Sequence, residues 1–319
     1  MSAQRRHRVH AACGCQCGEG TGEEFDAKVA FERLAKKQEE LAQLFAAYMG
    51  KDPVPAAAAA FFVDPNPPQS MFEAVQRIVG GFPVGVGEFP ECTLIGRRNR
   101  NGTLGWFCTG VLVHPRIVLT AGHCFNAAQP ANIVALQAED QTRLDRAEIV
   151  SVRRMVQHPD YPTTGLHDIS VILLRTAATV APVRLATAQE LGQALHTRLV
   201  GFGNDDVLST RGFGTKREVT VPITASVTVG SGNTADLERE FGFEADLEFV
   251  AGGSGFDSCN GDSGGPAYVD VAGERVVAGL TSRATDNARN PCGGGGIYTR
   301  VDVHRDFIRQ VAAGANITF

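Results

Sequence analysis

From about position 93 onward, apolar residues arrive in short runs separated by turn residues. The runs cover 93–95, 111–113, 117–119, 133–136, 149–152 and 171–174 in one stretch, then 198–201, 218–223, 266–271, 276–280 and 297–301 in another. Runs this short, with glycine, proline, asparagine or aspartate between them, predict strands rather than helices. Many short strands in series define an all-β chain, either a sandwich or a barrel. Residues 303–313 carry a helical pattern and predict a short terminal helix. Residues 224–251 fit neither pattern. Gly230, Gly232 and the acidic stretch 238–248 predict long surface loops there.

The first 77 residues have a different texture. Residues 1–20 are polar and basic, then glycine-rich, with Cys13, Cys15 and Cys17 alternating. Three soft ligands lack the fourth that a closed zinc site wants, so a polar tail with exposed thiols is the expectation and no metal ligand is assigned. A helix is expected over about 21–49. Thr21 and Glu24 fit a capping box, Glu24/Lys28 and Glu32/Lys36 fit i,i+4 pairs, and Gly50 offers a stop. Phe31, Leu34, Leu41, Phe45 and Tyr48 share one stripe, interrupted by Gln38. Such a stripe serves either a protein partner or the chain's own core. Pro53, Pro55, Pro65, Pro67 and Pro68 around the alanine run 56–60 then form a linker. The texture therefore divides the chain into an N-terminal region ending in a linker over 51–76 and a compact strand-rich unit after it.

Composition removes several classes of function. The chain has 319 residues, 43% hydrophobic and 20% charged, which suits a large buried core. Its net charge of −5 and the lack of a basic block beyond Arg5-Arg6-His7-Arg8 argue against a nucleic-acid partner. No stretch approaches the roughly 20 apolar residues that cross a bilayer. No secretory signal is legible after Arg8, because glycine, cysteine and glutamate follow where an apolar run belongs.

The chemistry concentrates in Asp257-Ser258-Cys259-Asn260-Gly261-Asp262-Ser263-Gly264-Gly265-Pro266. A serine among glycines sits where the backbone turns sharply and approaches a ligand closely. The N–H groups of Gly261 and Ser263 can converge on one point, as a developing oxyanion requires. A hydroxyl is a weak nucleophile alone, so this reading demands a histidine base and a carboxylate to orient it. Thr120-Ala121-Gly122-His123-Cys124 and His167-Asp168-Ile169-Ser170 supply both. Asp168 opens an apolar strand, and alternation points His167 away from it. With the order His123, Asp168, Ser263 and these local motifs, residues 78–319 resemble the trypsin-like serine proteases; the first 77 residues do not.

That resemblance implies two antiparallel six-stranded β-barrels with the site between them. It implies His123 as general base, Asp168 as its orienting carboxylate and Ser263 as nucleophile; the sequence itself gives no sign of a cofactor or of a metal requirement. It places Asp257, six residues before Ser263, at the base of a pocket for a substrate arginine or lysine. Gly296 then forms a wall that admits a long side chain, and Ser282 lies beside Asp168. Where the family usually carries tryptophan and glycine after that serine, this chain has Arg283 and Ala284. The Ala284 methyl is expected to narrow the pocket, and Arg283 to repel basic substrate residues. The family pairs Cys108 with Cys124 and Cys259 with Cys292. Ile78-Val79-Gly80-Gly81 resembles a mature N-terminus freed by a cut after Arg77, its α-amino group pairing with Asp262.

The implied activity is endoproteolysis of protein or peptide substrates, made as a zymogen. The cysteines beside the motifs point to an extracellular or other oxidising compartment. A protease-like binding protein without turnover is the rival, and the complete motif set speaks against it. A third reading makes the N-terminal helix the working part. Cys92 is the odd thiol of the mature unit: it either pairs with Cys13, Cys15 or Cys17, tethering the prosegment, or is a buried free cysteine.

Overall fold

The computed structural model describes residues 81–228, 230 and 233–319. The expected helix over 21–49, the linker, Cys13, Cys15, Cys17, Arg77 and Ile78 lie outside the described residues.

The first six-stranded barrel contains β2 (Cys92–Arg98), β3 (Leu104–His114), β4 (Ile117–Thr120), β5 (Ile133–Leu136), β6 (Glu148–Gln157) and β7 (Ser170–Leu174). These close in the order β2-β3-β4-β7-β6-β5 through antiparallel pairs, β5 returning to β2. The second contains β8 (His196–Gly201), β9 (Arg217–Ala225), β10 (Glu248–Ala251), β11 (Pro266–Val271), β12 (Glu274–Ala284) and β13 (Gly296–Arg300). Its order is β9-β10-β13-β12-β11-β8, closed by the pairing of β8 with β9. A two-residue strand β1, Phe82–Pro83, lies against β9. The all-β expectation thus resolves as two six-stranded barrels.

Burial explains why some strands alternate and others do not. In β9, Val219, Val221, Ile223 and Ala225 are buried while Thr220 and Pro222 are exposed, the period of two that one dry face produces. In β4 and β7 every residue is buried. Leu119, Val171 and Leu173 join one core cluster, whereas Val118, Ile172 and Leu174 join another. A strand between two cores reads as a continuous apolar run because both of its faces are dry.

Among the described residues two disulfides form, Cys108–Cys124 and Cys259–Cys292. Cys92 is fully buried and free, its thiol 3.8 Å from the Val200 carbonyl. Burial pushes its pKa far up, so the buried-cysteine alternative describes it and a tether would have to pull it from the core.

Residues 224–251 correct the expectation of long loops. They hold the helix Thr234–Phe241 and the strand β10. Asn233 caps the helix by accepting from the Ala235 N–H, and Gly242 ends it in the left-handed region at φ 75°. Strand β10 begins with Glu248, whose charge suggests surface, yet Glu248 is fully buried. A second helix, Ala188–Gln193, starts from a capping box of Thr187 and Glu190 that the apolar pattern does not show. The terminal helix spans Arg305–Ala313 and buries Ile308 and Ala312. Among the described residues, no helix is long and apolar enough to cross a membrane.

Candidate active site

Strand pairing brings His123 and Asp168 together. Thr120, the last residue of β4, sits opposite Ser170, the first of β7. The 3-10 turn Gly122–Cys124 leaves β4 at that end, and Asp168 enters β7 beside it. His123 Nδ1 is 2.8 Å from Asp168 Oδ2, and the His123 backbone N–H donates to Asp168 Oδ1 at 2.8 Å. Ser282 Oγ donates to Asp168 Oδ2 at 2.6 Å. The absence of a side chain at Gly122 permits this approach, since a Cβ there would stand 3.0 Å from Asp168 Oδ1. Gln157 Nε2 donates to the Gly122 carbonyl at 2.8 Å and steadies the turn.

Electrostatics follow from burial of the carboxylate, which is 2% exposed. Burial pushes Asp168 up. The His123 charge and hydrogen bonds, with that of Ser282, outweigh this and hold it below its ordinary value. Burial pulls His123 down, but the charge and hydrogen bond of Asp168 win and raise it. The pair therefore favours a histidine that accepts a proton while its partner stays ionised.

The serine loop is fixed from both barrels. Thr109 of β3 donates its N–H to the Ser263 carbonyl at 3.0 Å and its hydroxyl to the Gly261 carbonyl at 2.8 Å. The Gly264 N–H donates to the Thr281 carbonyl of β12 at 2.8 Å. Gly264 has φ +77°, and a Cβ there would lie 2.0 Å from Thr120 Oγ1, so only glycine lets the loop lie this close to the end of β4. Cys124 Sγ is 3.6 Å from the Ser263 carbonyl. Ser263 is thus packed onto the turn that carries His123. Among the described residues, the N–H groups of Gly261 and Ser263 donate to no protein acceptor.

A pocket opens beside Ser263 and is lined by Asp257, Ser258, Ser282, Arg283, Ala284, Pro291 and Gly296 among others. Asp257 is 2% exposed. It accepts from the Ser258 N–H at 2.7 Å, the Gly295 N–H at 3.0 Å and the Tyr298 hydroxyl at 3.2 Å. Burial pushes its pKa up to about 6 despite these donors. A Cβ at Gly296 would stand 2.8 Å from Asp257 Oδ1 and 2.7 Å from the Tyr298 hydroxyl oxygen. Ala284 pairs with Gly296 in the β12–β13 register, so its methyl stands beside the glycine where both line the pocket.

Arg283 departs from the expectation of a repelling cation. Its guanidinium meets the buried Glu248 carboxylate at 2.5 and 2.9 Å and donates to the Gly242 carbonyl at 2.9 Å. Its charge is neutralised by a partner on β10, so it forms a structural wall and not a free positive site. A bidentate pair of this kind orients the guanidinium as well as neutralising it.

Asp262 is cradled by glycines. Its carboxylate accepts from the Gly203 N–H at 2.7 Å and the Cys259 N–H at 2.8 Å. A Cβ at Gly201 or Gly203 would lie 2.1 or 2.5 Å from its oxygens. Burial pushes its pKa up to about 7, against its two N–H donors and the charge of Arg217, so a further cation nearby would favour the ionised form. Tyr298, Glu248, Thr109, Gly201 and Gly203 are contributors that the motifs do not announce. For the two glycines alone the spacing Gly-Phe-Gly was a visible signal.

Two closed barrels and a carboxylate-held histidine against a glycine-bound serine loop define a serine-type peptidase. The family model described as Trypsin matches residues 78–308, and the chain belongs to that family as a serine-type endopeptidase. Its substrates are proteins or peptides. A trypsin of Saccharopolyspora erythraea is 31% identical over 216 residues, 66% of this chain and 88% of that protein. A CLIP domain-containing serine protease B4 of Anopheles gambiae is 25% identical over 269 residues, 77% of this chain and 73% of that protein. A tryptase of Mus musculus is 32% identical over 223 residues, 64% and 78% of the two chains.

Proposed function

We propose that the protein hydrolyses peptide bonds after arginine or lysine through an acyl-enzyme on Ser263, and that it is made as a zymogen cut after Arg77. In this reading His123 takes the Ser263 proton as Oγ attacks the carbonyl carbon. Asp168 holds the imidazole in the required tautomer and stabilises the imidazolium. The Gly261 and Ser263 N–H groups receive the oxyanion. His123 then protonates the leaving amine, and water repeats the cycle to release the acid. The carrying observation is the buried Asp168 carboxylate, bound at once by His123 and Ser282. The test is a peptide-library cleavage profile on protein cut after Arg77: cleavage after arginine and lysine supports the reading, and no cleavage or an apolar preference opposes it.

Activation rests on Asp262. Residues 1–77 serve as a prosegment and 78–319 as the peptidase unit. A cut after Arg77 frees the Ile78 α-amino group, and its positive charge would pair with the buried Asp262 and favour its ionised form. Full-length protein is expected to be nearly inactive, and Arg77→Gln to remain so after protease treatment. Equal activity of that variant and the cut enzyme, in a chromogenic arginine-peptide assay, would contradict the zymogen reading. The two disulfides and the family favour an extracellular or other oxidising compartment. The stripe over 21–49 is assigned to a protein partner of the prosegment.

The pocket carboxylate also sets a pH dependence. With the Asp257 pKa raised to about 6, its carboxylate is present above that value and protonated below it. A cation must displace the proton, so binding weakens as pH falls through about 6, by about tenfold per unit beyond it. An aryl amidine inhibitor reports this separately from catalysis. Its inhibition constant is expected to be flat above about pH 7 and to rise in that way below 6; a flat profile down to pH 4 would contradict the assignment.

A further inference from the structure

Three histidines that no motif links come together beside the chain segment carrying Asp168. His158 follows β6, His167 precedes Asp168, and His304 precedes the terminal helix. Each offers a ring nitrogen, and the three nitrogens lie within 4.8 Å of one another. None of them touches the proposed peptidase chemistry. We propose that His158, His167 and His304 form a binding site for a divalent transition ion of the zinc, copper or nickel type.

The tautomer of His304 is arranged for ligation. His304 Nδ1 is 2.6 Å from the Arg300 carbonyl, so that nitrogen carries the proton and Nε2 presents a lone pair. A backbone carbonyl on the far nitrogen is the usual support behind a metal-binding imidazole. His304 Nε2 lies 3.1 Å from His167 Nδ1. Two nitrogens bound to one tetrahedral ion at about 2.0–2.1 Å stand roughly 3.3–3.4 Å apart, so the separation of this pair already suits an ion, and loading shifts the His167 proton from Nδ1, where it bonds His304, to its own Nε2. Imidazole nitrogens in this number suit zinc, copper and nickel and not calcium or magnesium, which want oxygen.

His158 is the ligand that must move. Its ring stacks on His167 at 4.6 Å between centroids and 7° between planes, and in-plane lone pairs of parallel rings cannot meet one ion. Loading turns the His158 ring out of the stack. Its side chain is 13% exposed, and the Asp160 carboxylate stands 3.9 Å away at the rim, 62% exposed. Water or Asp160 completes a fourth position. The cost of unstacking keeps the affinity moderate and the site reversible. The same rings without metal form a satisfied stack and hydrogen bond, and that is the alternative the experiment separates.

The test is titration with Co2+, followed by displacement with Zn2+, of the full chain carrying Cys13→Ser, Cys15→Ser and Cys17→Ser. The expected result is one bound ion with the visible bands of four-coordinate cobalt and no thiolate-to-cobalt charge transfer. His158→Ala and His167→Asn should each weaken binding by about tenfold or more. Asparagine tolerates the left-handed backbone of position 167, where φ is +57°, and melting curves verify that both variants fold. His123→Ala should leave binding unchanged, which separates this site from the peptidase histidine. Absence of a bound ion overturns the proposal. So do a spectrum indifferent to His158→Ala and His167→Asn, and one lost with His123→Ala.

Discussion

Ser263→Ala, made in protein cut after Arg77, is expected to lower kcat on an arginine peptide amide by about a millionfold. His123→Ala should cost about the same, and the double variant no more than either alone. The reason is that the serine hydroxyl and the imidazole act as one unit: without either, no alkoxide equivalent forms at the carbonyl carbon. Asp168→Asn is expected to cost about ten-thousandfold, or roughly 5.4 kcal/mol of transition-state stabilisation. The amide group can still fill the space between the His123 backbone and Ser282, but it presents an N–H where the imidazole Nδ1–H needs an acceptor. The losses should fall in kcat and leave KM nearly unchanged. Additive losses in the double variant, or a loss below about a hundredfold for Ser263→Ala, would count against a shared mechanism.

The second large effect is at Asp257. Asp257→Ser is expected to reduce kcat/KM for arginine and lysine substrates by several powers of ten and to raise it for phenylalanine and alanine substrates, which no longer strand a carboxylate. A buried carboxylate at the pocket base can hold a guanidinium through two parallel charge-assisted bonds. A substrate without the cation leaves it unpaired, at a cost of roughly several kcal/mol, and each 1.4 kcal/mol or so is a factor of ten. The protein already strains to keep this group ionised, since burial pushes it to about 6 even with N–H donors from Ser258 and Gly295. Ala284 opposes entry of long side chains, but one methyl costs about 1–3 kcal/mol. The charge term therefore wins. Matched arginine, lysine, phenylalanine and alanine esters measure it; equal rates on phenylalanine and arginine by the parent enzyme would contradict it.

Much of this was legible because the local rules are strict. Gly122, Gly264 and Gly296 each stand where a Cβ would press on a neighbouring functional group, so the motifs had to spell glycine there. The continuous apolar runs of β4 and β7 announced strands, and burial on both faces is the reason they do not alternate. What escaped depended on partners remote in sequence. The charge of Arg283 suggested repulsion because nothing nearby marks Glu248, 35 residues earlier, as its partner. Glu248 in turn suggested surface, and the strand it opens was missed with it. The three histidines show the same limit. All six strands of the second barrel lie between His158 and His304 in the chain, and only the fold places their rings 5.6 Å apart.

The most direct test of the central claim is labelling with a serine-directed fluorophosphonate, with the adduct located by mass spectrometry. Protein cut after Arg77 should carry one adduct, on Ser263, whereas full-length protein, Arg77→Gln and His123→Ala should label slowly or not at all. An adduct on another serine, or none in the cut protein, would contradict the assignment of Ser263 as the nucleophile.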